Sequence, residues 1–265
     1  MKIAIIGFGK MGEAILKGLT LKGYPGKSHI FVADKDAARL GYLRSNYGVF
    51  GSHSNIDVCL KSDIIIMAVK PQDMGSALED MSHALKSRLL ISIAAGKTIS
   101  FIRQKGRVKR IVRAMPNMPA FVHRAMTVLS YSSAVTDRDR RSAELIFNCI
   151  GKTLVLSERH MNAVTAVSGS GPAYLFLLME AMAKSAVSLG IKKDLAFELV
   201  TQTIFGASFL QYSLGKCPAS LKQDVASKGG TTEAALDVFK KRGFEAIVQD
   251  AVKAAFDRSR QLGPD

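Results

Sequence analysis

The chain has 265 residues, is 48% hydrophobic and 22% charged, and carries 37 basic against 22 acidic side chains, a formal net charge of +15. That length admits one large or two modest domains with a full core, and the composition is that of a globular protein rather than a disordered or fibrous one. Three cysteines (Cys59, Cys149, Cys217) stand far apart without a C-x-x-C pair and five histidines are scattered singly, which excludes a disulfide framework and a metal constellation.

The basic excess is diffuse, in clusters such as Lys105-Arg107-Lys109-Arg110, Arg138-Arg140-Arg141 and Lys240-Lys241-Arg242. No aromatic platform is interleaved with it and tryptophan is absent, so it reads as a solvated surface attractive to anionic small molecules, with no nucleic-acid partner expected. No stretch has 18 uncharged apolar residues; the densest, Leu175 to Ala183, is interrupted by Glu180. The short apolar run before Gly7 is no signal-peptide core. A soluble, cytoplasmic protein without a membrane partner is expected.

Ile3 to Ile6 is an apolar run suited to a strand buried on both faces. Gly7, Gly9 and Gly12 follow at the spacing G-x-G-x-x-G and lead into a helical pattern from Ala14. Gly7 allows the sharp turn, Gly9 lets a pyrophosphate approach the backbone, and Gly12 lets the helix lie close on the strand. The helix start aims unpaired N–H groups and its positive dipole end at the pyrophosphate. Position between strand and helix makes this a dinucleotide site.

His29 to Ala33 reads as the second strand, ending at Asp34, about twenty residues beyond the glycines, where an acid meets the adenosine ribose. Asp34 favours NAD; Lys35 suits a 2′-phosphate; Asp34 as a simple cap of the helix from Ala37 to Tyr47 stays open. Asp63 to Val69 is a buried strand stopped by Lys70-Pro71, which places Lys70 at a strand's carboxyl end. Leu89 to Ile93 ends in the small residues Ala94-Ala95-Gly96, and Val108 to Ala114 runs into the proline-stiffened Met115-Pro116-Asn117-Met118-Pro119-Ala120. Three consecutive strand ends of this kind point to one shared cleft.

Ala125 to Ser132 and Lys152 to Ser157 read as further strands around a helix from Asp137. The strand–helix alternation predicts a doubly wound α/β sheet over residues 1–159 and an all-helical domain over 160–265. Ser170-Gly171-Pro172 reads as the start of a helix running to Leu189. This helix and the next, Asp194 to Leu214, are apolar nearly all round, which predicts a subunit interface. Near the end, Gly229-Gly230-Thr231-Thr232 at the head of a helix offers backbone N–H groups and two hydroxyls, either as a carboxylate or phosphate site or as a glycine turn with a threonine N-cap.

Five segments, GFGKMG (Gly7–Gly12), AVKPQ (Ala68–Gln72), RAMPNMPA (Arg113–Ala120), SGSGPAY (Ser168–Tyr174) and SKGGTTEAAL (Ser227–Leu236), together resemble the pyrroline-5-carboxylate reductases. The resemblance implies a Rossmann domain, a helical dimerisation domain, homodimers often assembled into rings, and NAD(P)H reduction of L-1-pyrroline-5-carboxylate to L-proline. By position, Gly7, Phe8, Gly9, Lys10, Met11, Gly12, Asn55, Ala68, Val69, Lys70, Pro71, Ala94 and Ala95 would hold the cofactor, with Asp34 and Lys35 reading its ribose; NADP(H) is favoured and NAD(H) allowed. Glu158, Asp224, Gly229, Gly230, Thr231 and Thr232 would surround the imine carboxylate. Two departures stand out: Lys228 where relatives commonly have proline, and Asp224 where some have Asn, which unlike an ionised Asp can donate a hydrogen bond.

Only a protonated imine accepts hydride well, and no histidine lies in these motifs, so the Thr232 hydroxyl is the first candidate to relay the proton. Alternatives are a catalytically silent NADP-sensing protein of the same fold and a reductase of a different cyclic imine.

Overall fold

A computed structural model describes residues Met1–Gly263. The first strand, β1 (Ile3–Ile6), is followed by α1 (Lys10–Leu21), β2 (Ile30–Ala33), α2 (Ala37–Tyr47), β3 (Phe50–Ser52), α3 (Asn55–Leu60) and β4 (Ile64–Met67). Then come α4 (Met74–Asp80), α5 (Ser82–Leu85), β5 (Leu89–Ser92), α6 (Ile99–Gly106), β6 (Ile111–Met115), β7 (Ala125–Tyr131), α7 (Asp137–Asn148) and β8 (Gly151–Val155). Among the described residues these strands form one sheet in the order β3-β2-β1-β4-β5-β6-β7-β8.

Pairing is parallel except between β6 and β7, which are antiparallel because the turn between them is too short for a crossover helix. Period-two alternation explains the wholly apolar strands: Ile3 and Ile5 of β1 feed one core layer, Ala4 and Ile6 the other. The first layer is closed by Ile15, Leu16 and Leu19 of α1 and by Ile146 and Phe147 of α7. The second is closed by Val58 of α3, Leu78 of α4 and Ile102 of α6. This doubly wound arrangement puts the carboxyl ends of β1, β2, β4 and β5 along one edge, where open α/β sheets bind ligands.

The chain divides into two compact units, one comprising Met1–Ser170 together with the chain from Ala254 onward, the other Gly171–Lys253. No strand follows β8 among the described residues, and α8 (Met161–Val164) is followed by a π-helical turn, Thr165–Gly169, a bend at Ser170 and α9 (Gly171–Ser188). The expected helix start at Ser170-Gly171-Pro172 holds, with α9 beginning at Gly171, and the π-helical turn before it is added, Ser170 N–H being bonded to the Thr165 carbonyl. Met161 and Val164 pack on Val128 of β7, which is why the stretch up to Ser170 goes with the sheet.

The second unit holds α9, α10 (Lys193–Leu214), α11 (Pro218–Val225), α12 (Thr231–Lys241) and the beginning of α13 (Phe244–Gln261). In one copy of the chain α9 buries only Ala183, and α10 only Ala196 and Val200. Their large apolar residues stand in the open: Leu177 is 68% exposed, Phe205 63% and Phe209 59%. Among the described residues no helix is long and apolar enough to cross a membrane.

Candidate active site

In the first unit the cofactor candidates converge on the carboxyl edge of the sheet. Gly7 has φ +91°, and a Cβ there would sit 2.9 Å from the Ala68 carbonyl, so both turn geometry and the end of β4 demand glycine. A Cβ at Gly12 would run into the Gly7 carbonyl oxygen. Gly9 is different. Its φ of −74° is open to any residue, and a Cβ there would meet nothing within 4 Å. Neither conformation nor packing calls for glycine, so the open space fits close approach of an external group such as a pyrophosphate. Gly9 is the N-cap of α1 without a side-chain cap, which leaves the first-turn N–H groups of that helix available.

A cavity of 410 Å³ opens beside this turn, lined among others by Gly7, Gly9, Asp34, Lys35, Asn55, Ala68, Val69 and Lys70. Four polar residues to which the sequence reading gave no role join them: His53, Asp73, Ser76 and Asp80. They lie in the loop after β3, in a 3-10 turn ending at Asp73 and in α4, elements whose patterns are too brief to register. Phe8 is fully buried in the core, so it can face a ligand only through its backbone. Lys10 begins α1 and is exposed, and Met11 is half-buried against the core. Pro71 opens the short 3-10 turn Pro71–Asp73. Ala94 is buried and Ala95 half-buried in the loop after β5.

Asp34 does not cap α2: that role belongs to Asp36, whose carboxylate accepts from Ala38 and Arg39. Asp34 instead accepts the amide N–H of Phe8 at 2.6 Å and that of Asp36 at 2.9 Å. Asn117 is a further residue without a prior assignment. Its Nδ2 donates to the Ser168 carbonyl at 3.1 Å while its Oδ1 accepts from Met126 N–H, tying RAMPNMPA to SGSGPAY.

Glu158 lies in the turn Glu158–His160, with Oε1 accepting from Arg113 Nη1 at 2.8 Å and from the Ile99 amide at 2.7 Å. In the second unit, Asp224 is exposed and pairs with Lys216 at 3.2 Å. The turn before α12 departs from expectation in two respects. The N-cap is Gly230, so the threonine-cap alternative does not hold. The Gly229 and Gly230 amides are also already engaged, the first by Glu233 Oε2 at 2.6 Å and the second by the Ser227 carbonyl at 3.0 Å. The first-turn N–H groups of Thr231, Thr232 and Glu233 and the two threonine hydroxyls remain as donors for an anion.

Comparison with known proteins agrees with this two-part layout. The family model "Pyrroline-5-carboxylate reductase dimerisation" matches residues 158–262, and "NADP oxidoreductase coenzyme F420-dependent" matches residues 2–96. Pyrroline-5-carboxylate reductases of Arabidopsis thaliana and Escherichia coli are each 37% identical over 98% of this chain, covering 95% and 98% of those proteins. The solved pyrroline-5-carboxylate reductase of Coxiella burnetii is 34% identical with a TM-score of 0.92, over 100% of this chain and 99% of that one. The Plasmodium falciparum enzyme, solved with NADP bound, is 31% identical with a TM-score of 0.91, over 100% of this chain and 98% of that one. With nucleotide turn, sheet and helical domain matched in order from end to end, the chain belongs to the pyrroline-5-carboxylate reductase family.

Proposed function

We propose that the chain reduces L-1-pyrroline-5-carboxylate to L-proline with NAD(P)H, the last step of proline biosynthesis. The observation that carries this is full-length similarity to reductases of that name, combined with open space over Gly9 at the uncapped start of α1, beside the cavity. Bound NAD(P)H supplies the hydride that the imine carbon takes up.

The chain's own residues bind, orient and protonate. Gly7 to Gly12 and the first turn of α1 hold the pyrophosphate; Asp34, Lys35 and Asn55 face the adenosine ribose, with the Lys35 cation favouring NADP(H) while NAD(H) remains accepted. Ala68 to Pro71 and Ala94-Ala95 flank the nicotinamide. Thr231 and Thr232, on the turn shaped by Gly229 and Gly230 and with Asp224 nearby in sequence, hold the substrate carboxylate through first-turn N–H groups. The Thr232 hydroxyl relays a proton from water to the imine nitrogen, giving one to nitrogen as it takes one from the water, and the protonated C=N then accepts hydride at carbon to become CH–NH.

The matched dimerisation family and the exposed apolar faces of α9 and α10 support a homodimer, and we extend this to a ring of dimers. Residues 1–159 serve as the dinucleotide domain and 160–265 as the substrate and dimerisation domain, working in the cytoplasm. The deciding experiment is the initial rate of NADPH and NADH oxidation by purified protein with and without pyrroline-5-carboxylate. Imine-dependent oxidation is expected; cofactor binding without it would leave a silent NADP-binding protein.

A further inference from the structure

Glu158 is the one residue assigned to the substrate by family resemblance whose carboxylate lies in the first unit, and its surroundings give it a different task. Its Oε1 accepts two hydrogen bonds, from Arg113 Nη1 at 2.8 Å and from the backbone N–H of Ile99 at 2.7 Å, so both lone pairs of that oxygen are engaged. Arg113 sits on β6 and is 5% exposed, a cation with little access to water. Ile99 is the first residue of α6, in which another first-turn donor, Phe101 N–H, is taken by the Thr98 side chain at 3.1 Å.

Glu158 therefore ties three pieces together: the turn after β8, the middle of β6 and the start of α6. The loop Ile93–Thr98, which carries Ala94 and Ala95, hangs between β5 and that helix start. Ser92 Oγ holds its near end by accepting from Ala94 N–H at 3.3 Å. At its middle, a Cβ on Gly96 would come within 2.9 Å of the Leu262 backbone, so Leu262 backs the turn. Glu158 fixes the far end, and it alone of the three does so with a charge. A carboxylate is also an acceptor only, poorly suited to grip a substrate that is itself a carboxylate.

We propose that Glu158 is a positioning residue for the cofactor: through the Ile99 amide and Arg113 it sets the Ala94–Ala95 loop against which the nicotinamide lies, and it is not a ligand of the imine carboxylate. This rests on the reductase reading above.

The test uses the whole enzyme in three forms: Glu158→Gln, Arg113→Met and the double variant. Glu158→Gln leaves a buried cation without its counter-ion and risks misfolding; the double variant removes both charges and keeps the fold accessible. NADPH Kd is read by fluorescence titration, imine KM and kcat by initial rates, and integrity by thermal melting. Expected is a rise in NADPH Kd of about tenfold in Arg113→Met and in the double variant, with a fall in kcat and imine KM unchanged, as loss of one charge-assisted hydrogen bond would give. Glu158→Gln, which keeps an amide oxygen for Ile99, should lose less.

A tenfold rise in imine KM at unchanged NADPH Kd would make Glu158 a substrate ligand and overturn the proposal. A folded double variant with parental NADPH Kd and kcat would overturn it too. Failure of the reductase reading would show differently, as a parent enzyme without imine-dependent turnover, while the NADPH titration would still report on the loop.

Discussion

The carboxylate of Asp34 accepts the backbone N–H of Phe8 at 2.6 Å, which makes the acid at the end of β2 and the middle residue of the glycine turn a single structural piece. The Phe8 carbonyl is held from the other side by Arg39, whose Nε and Nη2 donate to it at 2.9 and 2.6 Å while the guanidinium lies 4.8 Å from the Phe8 ring centre. Asp34→Ala should accordingly weaken NADPH and NADH alike, by roughly 5- to 150-fold if a backbone donor worth about 1–3 kcal/mol is left unpaired. Lys35→Ala, which touches no part of the turn, should weaken NADPH more than NADH. Titration of both cofactors against both variants checks this, and a purely NADH-selective effect of Asp34→Ala would mean that the ribose, not the turn, is its main partner.

The glycines of the turn separate by purpose. Gly12→Ala forces a methyl into the Gly7 carbonyl and should lower the melting temperature by several degrees, with cofactor binding lost as a consequence. Gly9→Ala adds a methyl that meets nothing in the protein, so it should melt as the parent does yet bind NADPH at least tenfold more weakly. Thermal melting beside NADPH titration distinguishes the two, and a parental affinity in Gly9→Ala would remove the main support for pyrophosphate contact there.

Glu13 supplies a pH dependence. Burial pushes its carboxyl up, but hydrogen bonds from Arg39, Tyr42 and Tyr47 and the Arg39 charge outweigh this, and the net shift is below the ordinary value of 4.5. A depressed folded-state pKa adds stability that is fully present above 4.5 and is lost as pH falls through the folded value. Melting temperature should therefore drop more steeply with acid below pH of about 5 in the parent than in Glu13→Gln. The Tyr47 phenol, raised by burial and by the Glu13 charge, stays a donor to Glu13 throughout this range. Parallel acid limbs in the two proteins would contradict the assignment.

The sheet was legible because β1 and β4 are apolar on every residue, β5 on all but its last, and the glycine turn follows β1 directly. Phe50–Ser52 and Asn55–Leu60 escaped notice, being a three-residue strand and a six-residue helix too short to show a period. The site was legible where backbone geometry dictates the residue, as at Gly7 and Gly12. It was not where two charges meet across the fold: Arg113 and Glu158 are 45 residues apart, and nothing local in either segment announces the pair. The Glu233 bond to Gly229 was hidden differently, since an acid three residues into a helix ordinarily returns to the N-cap, here Gly230, and this one reaches one residue further.

Phe205 and Phe209 stack at 6.0 Å on the open face of α10. A second chain covering them would account for their exposure, and the matched dimerisation family agrees with that. Phe205→Glu with Phe209→Glu should shift the sedimenting species to a lower mass at micromolar concentration and abolish turnover. An unchanged mass would place the interface elsewhere on the helical unit.

Thr232 is the residue on which the proposed chemistry turns. It is the second residue of α12, half-buried, and because Gly230 is the N-cap its hydroxyl has no capping bond to lose. Thr232→Ala should therefore leave the melting temperature and NADPH affinity near parental values. What it removes is a hydroxyl beside first-turn N–H groups that are free to hold a carboxylate. Loss of a hydrogen bond to a charged iminium, roughly 1.5–3 kcal/mol, corresponds to about 10- to 150-fold in kcat/KM. A fall in kcat at constant KM identifies a transition-state role, as expected of a proton relay, whereas a rise in KM alone identifies an anchor for the bound substrate. Thr231→Ala is the control, since its hydroxyl stands on the neighbouring, more exposed position and should affect binding more than turnover. Parental kinetics in Thr232→Ala would transfer the proton step to another group and leave substrate contact at this turn to its backbone and Thr231.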